Sequence, residues 1–187
     1  MGNSEGLCAR EVQRMSAGTG VQHSEENVSP DTEVHLLQIW IKPQRKNIKP
    51  SYMQHKFSDD EKRNKWCLIV SQNKNPNRSK LRGIFNLSWS SICNLMSLQA
   101  AGYQTQERNE GLQINQEVNI FASILEESKK IEYTIENTRG IWIQIIRGRM
   151  RVNEREVTTG DGISIENEKE VIFLAVEETE FLLFDLR

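Results

Sequence analysis

Short apolar segments separated by turn residues fill the last third of the chain. The strand candidates are residues 140–146, 150–152, 162–165, 170–176 and 180–186. The intervening residues include Arg147-Gly148, Asn153-Glu154, Gly160-Asp161 and Glu177-Glu178. Short strands at close spacing with such turns predict an all-β barrel or sandwich.

A second strand signal lies in the first third. Residues 33–41 read E-V-H-L-L-Q-I-W-I, a nearly continuous apolar run with β-branched and aromatic members. Such a run predicts a strand that is buried on both faces. Lys42-Pro43 ends it, and Lys49-Pro50 marks another turn before residues 51–57 extend again.

The middle of the chain has a different pattern. Residues 80–106 contain no acidic residue, and apolar or small side chains recur at spacings of three and four, at Leu81, Ile84, Phe85, Ser88, Ile92, Leu95 and Met96. This spacing predicts a helix. A packed helix is favoured over one that binds a membrane surface or a partner.

Composition narrows the class of protein. The 187 residues carry 24 basic and 26 acidic side chains, a net charge of −2, so nothing global favours nucleic acid or an anionic membrane as a partner. Three cysteines without a C-x-x-C pair argue against a disulfide framework and a zinc ribbon. No run approaches the roughly 20 apolar residues of a membrane span. We therefore expect a cytoplasmic protein.

His23 and Glu25 are the residues with the clearest candidate chemistry. They stand two apart in an apparently extended segment, where side chains at i and i+2 share one face and can converge on a metal ion. Two solvated side chains on an exposed strand are the alternative. The remaining histidines, His35 and His55, have no ligand spacing, and none follows residue 55.

Several motifs resemble the pirin family, a group of two-barrel proteins in the cupin superfamily. They are M-S-A-G-T-G-V-Q-H-S-E-E-N, E-V-H-L-L-Q-I-W-I-K-P, P-S-Y-M-Q-H-K-F, Q-E-V-N-I-F-A-S-I-L, G-I-W-I-Q-I-I-R-G and F-L-L-F-D-L. The chain is most similar to the bacterial members that act as quercetin 2,3-dioxygenases. The resemblance implies an all-β bicupin fold of two β-barrels.

The resemblance also implies a metal centre. In the family, three histidines and one glutamate hold one ion, usually iron, through an early H-x-H pair and a later H-S-E motif. His23 and Glu25 match the later pair, with Glu25 as the catalytic base, and the early pair has no counterpart. We expect a divalent metal, namely iron, that is weakly held, and we do not expect His35 or His55 to replace the missing ligands.

The family pattern predicts three segments. Met1-Gly2-Asn3 resembles the end of the family's D-S-M-G-N segment, so residues 1–72 are expected to be the remnant of an N-terminally truncated first barrel. Residues 73–110 form a predicted helical insertion where pirins have a short turn. Residues 111–187 are expected to form the second barrel. An incomplete first barrel exposes strand edges, which predicts self-association.

Two functions follow from this interpretation. The first is a dioxygenase for a flavonol-like substrate, impaired in this chain because half of the metal ligands are absent. The alternative is a non-catalytic, metal-responsive module that binds a protein, as a cofactor of transcription regulators or metabolic enzymes. Neither function requires direct contact with nucleic acid or a membrane.

Overall fold

The computed structural model describes residues 6–72, 111–136 and 138–187. In the first of these ranges, two strands pair and a short helix and a third strand follow. The elements are β1 (Glu11–Ser16), β2 (Ser51–Lys56), α1 (Asp59–Lys62) and β3 (Cys67–Gln72). Ser58 caps α1 by accepting a hydrogen bond from the Glu61 backbone amide, and the Glu61 carboxylate accepts one from the Ser58 amide in return.

Nine strands follow in the carboxyl-terminal part. They are β4 (Leu112–Ile114), β5 (Val118–Leu125), β6 (Lys130–Thr134), β7 (Gly140–Arg147), β8 (Arg149–Val152), β9 (Arg155–Thr158), β10 (Gly162–Ile165), β11 (Glu170–Ala175) and β12 (Thr179–Leu186). α1 is the one α-helix among the described residues, so the predicted all-β class is confirmed.

The strands form three sheets. β1 and β2 make a two-stranded antiparallel sheet, a six-stranded sheet has the order β10-β7-β12-β5-β3-β4, and a four-stranded sheet has the order β6-β11-β8-β9. β3, which the predicted boundary at residue 72 assigns to the first segment, pairs with both β4 and β5. The six-stranded sheet is therefore built from both segments.

Each face of the six-stranded sheet covers its own apolar cluster. Along β12, Phe181 and Leu183 belong to a cluster shared with the four-stranded sheet, whereas the intervening Leu182 belongs to the other cluster. This alternation is the two-residue period of a strand. The second cluster also contains Phe57, and Val12 and Ile41 pack against it, so the chain before residue 72 covers the outer face.

The predicted strands of the last third are confirmed. The five candidate segments coincide with β7, β8, β10, β11 and β12, and β2 occupies residues 51–56 as expected. The predicted strand at residues 33–41 is wrong: no strand forms there, and residues 33–40 are exposed. An apolar run predicts burial only if a neighbouring strand covers it, and no described strand pairs with this one.

The predicted helical insertion at residues 73–110 lies outside the described residues. Among the residues that are described, no helix is long and apolar enough to cross a membrane.

Candidate metal centre

A tight turn at the end of β1 brings the chain back toward that strand. The backbone amide of Gly20 donates to Ala17 O at 2.8 Å, and that of Thr19 donates to Ile48 O at 3.1 Å. Gly18 has φ +57°, and a Cβ atom placed on it would lie 2.0 Å from Ile48 O. Only glycine fits this close approach to backbone at positive φ. A tight turn therefore precedes His23.

His23 and Glu25 lie close together after this turn. His23 Nε2 is 3.8 Å from Glu25 Oε1, and the two side chains are 44% and 40% exposed. They do not lie in a strand, because residues 20–29 form no regular secondary structure, so the expected strand geometry is wrong. The side chains converge nevertheless, because an irregular backbone after the turn can also direct residues i and i+2 to one side.

Gln13 on β1 fixes the position of the Glu25 carboxylate. Gln13 Nε2 donates to Glu25 Oε1 at 2.8 Å, and Gln13 Oε1 accepts a hydrogen bond from the Tyr52 hydroxyl at 3.2 Å. The same hydroxyl lies 2.6 Å from Gln54 Oε1. Gln54 Nε2 in turn donates to Glu11 Oε2 at 2.8 Å. Strand side chains thus form a polar network that ends at Glu25.

The register of the β1–β2 pair explains why these residues meet. Gln13 lies opposite Gln54, and Met15 lies opposite Tyr52, so all four side chains share one face of the two-stranded sheet. Val12 is on the other face and packs against the second apolar cluster. The sheet therefore presents its polar face to Glu25 and its other face to the core.

Arg14 is the main charged group on that other face. Its Nη1 donates to Ser51 Oγ at 2.6 Å, and Nε has no hydrogen-bond partner in the described part of the chain. Burial lowers the pKa of the Arg14 guanidinium. Because Arg14 alternates with Gln13 along β1, its charge is separated from Glu25 by the sheet.

The other two histidines lie away from the pair. His55 is exposed on β2, opposite Val12, with its ring 4.7 Å from that of Phe57 in an edge-to-face contact. His35 is exposed in the segment that was expected to be a strand. The structure brings neither histidine into the His23–Glu25 group.

The residues present do not complete a metal site. Across ranges 6–72, 111–136 and 138–187, no group of three or more histidine, cysteine, aspartate or glutamate side chains could hold a metal ion. His23 and Glu25 provide one nitrogen and one carboxylate donor, which is half of the set that the family resemblance implies. An ion held by two part-exposed donors would have to take its remaining ligands from water or from another polypeptide segment.

Sequence reasoning overlooked Gln13, Tyr52 and Gln54 as parts of this site. A signal for two of them was present, because Tyr52 and Gln54 alternate in P-S-Y-M-Q-H and must share a strand face. Nothing in the sequence alone pairs β2 with β1, since 34 residues separate Ser16 from Ser51. Local sequence does not predict the contact between Gln13 and Glu25 either, because the turn after β1 brings the two residues together.

Comparison with protein-family models gives two matches. Residues 1–41 match the pirin model, and residues 104–186 match the model of the quercetinase C-terminal cupin domain. The first match includes both His23 and Glu25. The second includes every strand from β4 to β12.

Individual relatives agree with these matches. The quercetin 2,3-dioxygenase of Escherichia coli K12 is 30% identical over 186 residues, which is 100% of this chain and 65% of the relative. A pirin-like protein of Caulobacter vibrioides is 23% identical over 99% of this chain and 66% of its own length. The chain thus spans about 65% of the length of the curated relatives it matches.

A solved structure matches the fold as well. The crystal structure of the bacterial pirin YhhW from Escherichia coli in complex with nickel(II) superposes with a TM-score of 0.75 at 30% identity, over 99% of this chain and 65% of that one. The all-β topology, the two family models and this superposition agree. The chain belongs to the pirin family of cupin-fold proteins and is related to quercetin 2,3-dioxygenases.

Proposed function

We propose that this chain is a pirin whose metal centre is reduced to His23 and Glu25, so that it binds a divalent ion weakly and is impaired as a quercetin 2,3-dioxygenase. The observation that supports this most is the 3.8 Å approach of His23 Nε2 to Glu25 Oε1 within the segment that matches the pirin model. Two donors at this separation can contact one ion.

Weak binding follows from the number of donors and their exposure. No third histidine, cysteine, aspartate or glutamate joins the pair among the described residues, and both side chains are partly open to water. Losing an outer-shell partner of a metal ligand typically costs about 10- to 100-fold in metal affinity or activity. Losing two direct ligands is expected to cost at least as much.

The metal and substrate classes come from the relatives. A relative is named quercetin 2,3-dioxygenase, and the YhhW structure contains nickel(II). We infer a divalent ion for this chain, with iron as the natural ion, and a flavonol-like substrate. Glu25 would act as the general base. Its hydrogen bond from Gln13 Nε2 holds one carboxylate oxygen and leaves the other free to accept a proton.

Titration calorimetry with nickel(II), followed by iron(II) under anaerobic conditions, tests the binding site. We expect one weak site that is emptied by dialysis, and Glu25→Gln should lower its affinity by at least about 10-fold. Glu26→Gln is the matched control, because Glu26 is an exposed neighbour outside the network. Equal effects of the two variants, or a stoichiometric metal retained through purification, would contradict the proposal.

Oxygen consumption with quercetin and added iron(II) tests the proposed impairment. We expect no turnover above that of free iron. Turnover by this chain that Glu25→Gln abolishes and Glu26→Gln preserves would show that the two donors suffice for catalysis, which is contrary to the proposal. The calorimetric test of metal binding does not depend on the outcome of this turnover assay.

A further inference from the structure

The segment of residues 33–42, here called the apolar segment, carries much of the exposed hydrophobic surface of the described residues. Ten large apolar side chains are exposed among the described residues. Five of them lie in this segment, namely Val34, Leu36, Leu37, Ile39 and Trp40. Trp40 is 88% exposed. Contiguous apolar surface of this kind marks a contact with another macromolecule.

The backbone of the apolar segment is available for pairing. Its ends are held, because Asn27 Nδ2 donates to Thr32 O at 2.7 Å and Gln116 Nε2 donates to Lys42 O at 2.6 Å. Between these anchors, residues 33–41 make no hydrogen bond with the described part of the chain. None of them has positive φ. Because no residue of the segment is in a left-handed conformation, the segment can extend into a strand without crossing a forbidden region of φ.

Charges flank the apolar segment asymmetrically. Asp31 and Glu33 stand at its amino-terminal end, and Lys42, Arg45 and Lys46 stand at its carboxyl-terminal end. All five are exposed, and none forms an ion pair with another described residue. A parallel neighbour of the same sequence would place like charges together. An antiparallel neighbour of the same sequence would place acidic ends beside basic ends.

We propose that the apolar segment is a dimer interface in which it pairs, as an antiparallel strand, with the same segment of a second copy of this chain. A two-fold axis relates two antiparallel strands only if it is perpendicular to their sheet, so residues opposite each other must lie on the same face. The residue numbers of any two residues that lie opposite each other must therefore add up to an even number.

Two prolines select the register among those allowed. Centring the pair on Leu37 places Glu33 opposite Ile41 and keeps Pro30 and Pro43 outside the paired residues. Centring it on Gln38 would place Glu33 opposite Pro43, which has no backbone donor. With Leu37 opposite its own copy, one face carries Val34, Leu36 and Trp40 from both copies. The other carries Leu37, Ile39 and Ile41.

A single strand pair buries less surface than a standard interface, so the dimer is expected to be weak and dependent on concentration. Sedimentation velocity over about two orders of magnitude in protein concentration measures it. Val34→Lys should remove the dimer. Val28→Lys is the matched control, because Val28 is an exposed valine outside the apolar segment. A monomer at every concentration, or equal loss in both variants, would overturn the proposal.

Charge reversal tests the antiparallel direction. In the register centred on Leu37, Glu33 and Lys42 of the other copy stand at the same end of the pair but on opposite faces, so they attract each other through solvent and not as a direct pair. Glu33→Lys alone and Lys42→Glu alone should each weaken the dimer by at most about two- to five-fold, the upper range for exposed charges. The double variant Glu33→Lys/Lys42→Glu should restore it, because the acidic and basic ends are then exchanged in both copies. A double variant weaker than either single variant would overturn the antiparallel arrangement.

Disulfide trapping tests the register. In a Cys8→Ser/Cys93→Ser background, Leu37→Cys should form a covalent dimer on mild oxidation, since residues opposite each other on antiparallel strands lie within reach of a disulfide. Leu36→Cys should form far less, because its copies would be diagonal neighbours about 7–8 Å apart. Preferential trapping of Gln38→Cys would overturn the register centred on Leu37. This inference does not depend on metal binding or turnover.

Discussion

The Arg139 side chain donates hydrogen bonds to both the side chain and the backbone carbonyl of Asp185. Arg139 Nε donates to Asp185 Oδ1, and Arg139 Nη2 donates to Asp185 O at 2.9 Å. The two side chains are only 14% and 9% exposed. The contact ties the segment preceding β7 to the carboxyl-terminal end of β12, which lies beside β7 in the six-stranded sheet.

Removing Asp185 should therefore destabilise the protein strongly. Breaking a buried pair leaves an uncompensated charge, so we expect Asp185→Ala to lower the free energy of unfolding by about 3 kcal/mol. Urea denaturation measures the change. Arg187→Ala is the control, since Arg187 pairs with Glu117 at the same end of β12 but is 63% exposed, and the loss should stay below about 1 kcal/mol. Equal losses would show that Asp185 is not a buried anchor.

Tyr133 should make stability fall at alkaline pH. Its hydroxyl donates to Asp185 Oδ2 at 2.9 Å, and burial, followed by the charge of Asp185, raises the pKa of Tyr133 above its ordinary value. A group whose pKa is raised in the folded state stabilises the fold fully below the unfolded pKa, which is about 10 for tyrosine. That stabilisation is lost as the pH rises from about 10 toward the folded pKa.

The free energy of unfolding measured between neutral and strongly alkaline pH tests this sign. Tyr133→Phe should remove this part of the alkaline decline, because phenylalanine does not ionise. At neutral pH it should cost about 1 kcal/mol for the lost hydrogen bond. An unchanged alkaline slope in the variant would assign the decline to other groups.

Gly18→Ala should disturb the turn that positions His23 and Glu25. A non-glycine residue at positive φ costs about 1–3 kcal/mol when the backbone cannot relax, and the added methyl would also meet Ile48 O. We expect a lower free energy of unfolding and weaker nickel(II) binding. Gly6→Ala is the control, because a Cβ at Gly6 meets nothing within 4 Å. Normal stability of Gly18→Ala would show that the turn adapts.

Phe173 should be among the most sensitive core positions. It is fully buried on β11, stacks on Phe181 with ring centroids 5.5 Å apart, and makes an edge-to-face contact with Trp66 with ring centroids 5.2 Å apart. Phe173→Ala should cost about 3–5 kcal/mol. The neighbouring Ile172 faces the other way and is exposed, so Ile172→Ala should cost about 1 kcal/mol or less. Thermal unfolding of the two variants provides the comparison.

Local pattern predicted the carboxyl-terminal strands well because each has turn residues at both ends and an apolar face. In β12, Phe181 and Leu183 are fully buried in one cluster and Leu182 is buried in the other. The family motifs also identified His23 and Glu25 as a pair. The metal assignment remains a prediction, since it rests on two donors and the family resemblance.

The sequence alone determined the strand-rich class and the presence of one imidazole and one carboxylate two residues apart, because these depend on neighbouring residues. Only the tertiary structure decided that Gln13 holds Glu25, that β3 joins the carboxyl-terminal sheet, and that residues 33–40 are exposed. The last point was predicted wrongly, because burial of an apolar strand depends on a pairing partner that local sequence does not specify.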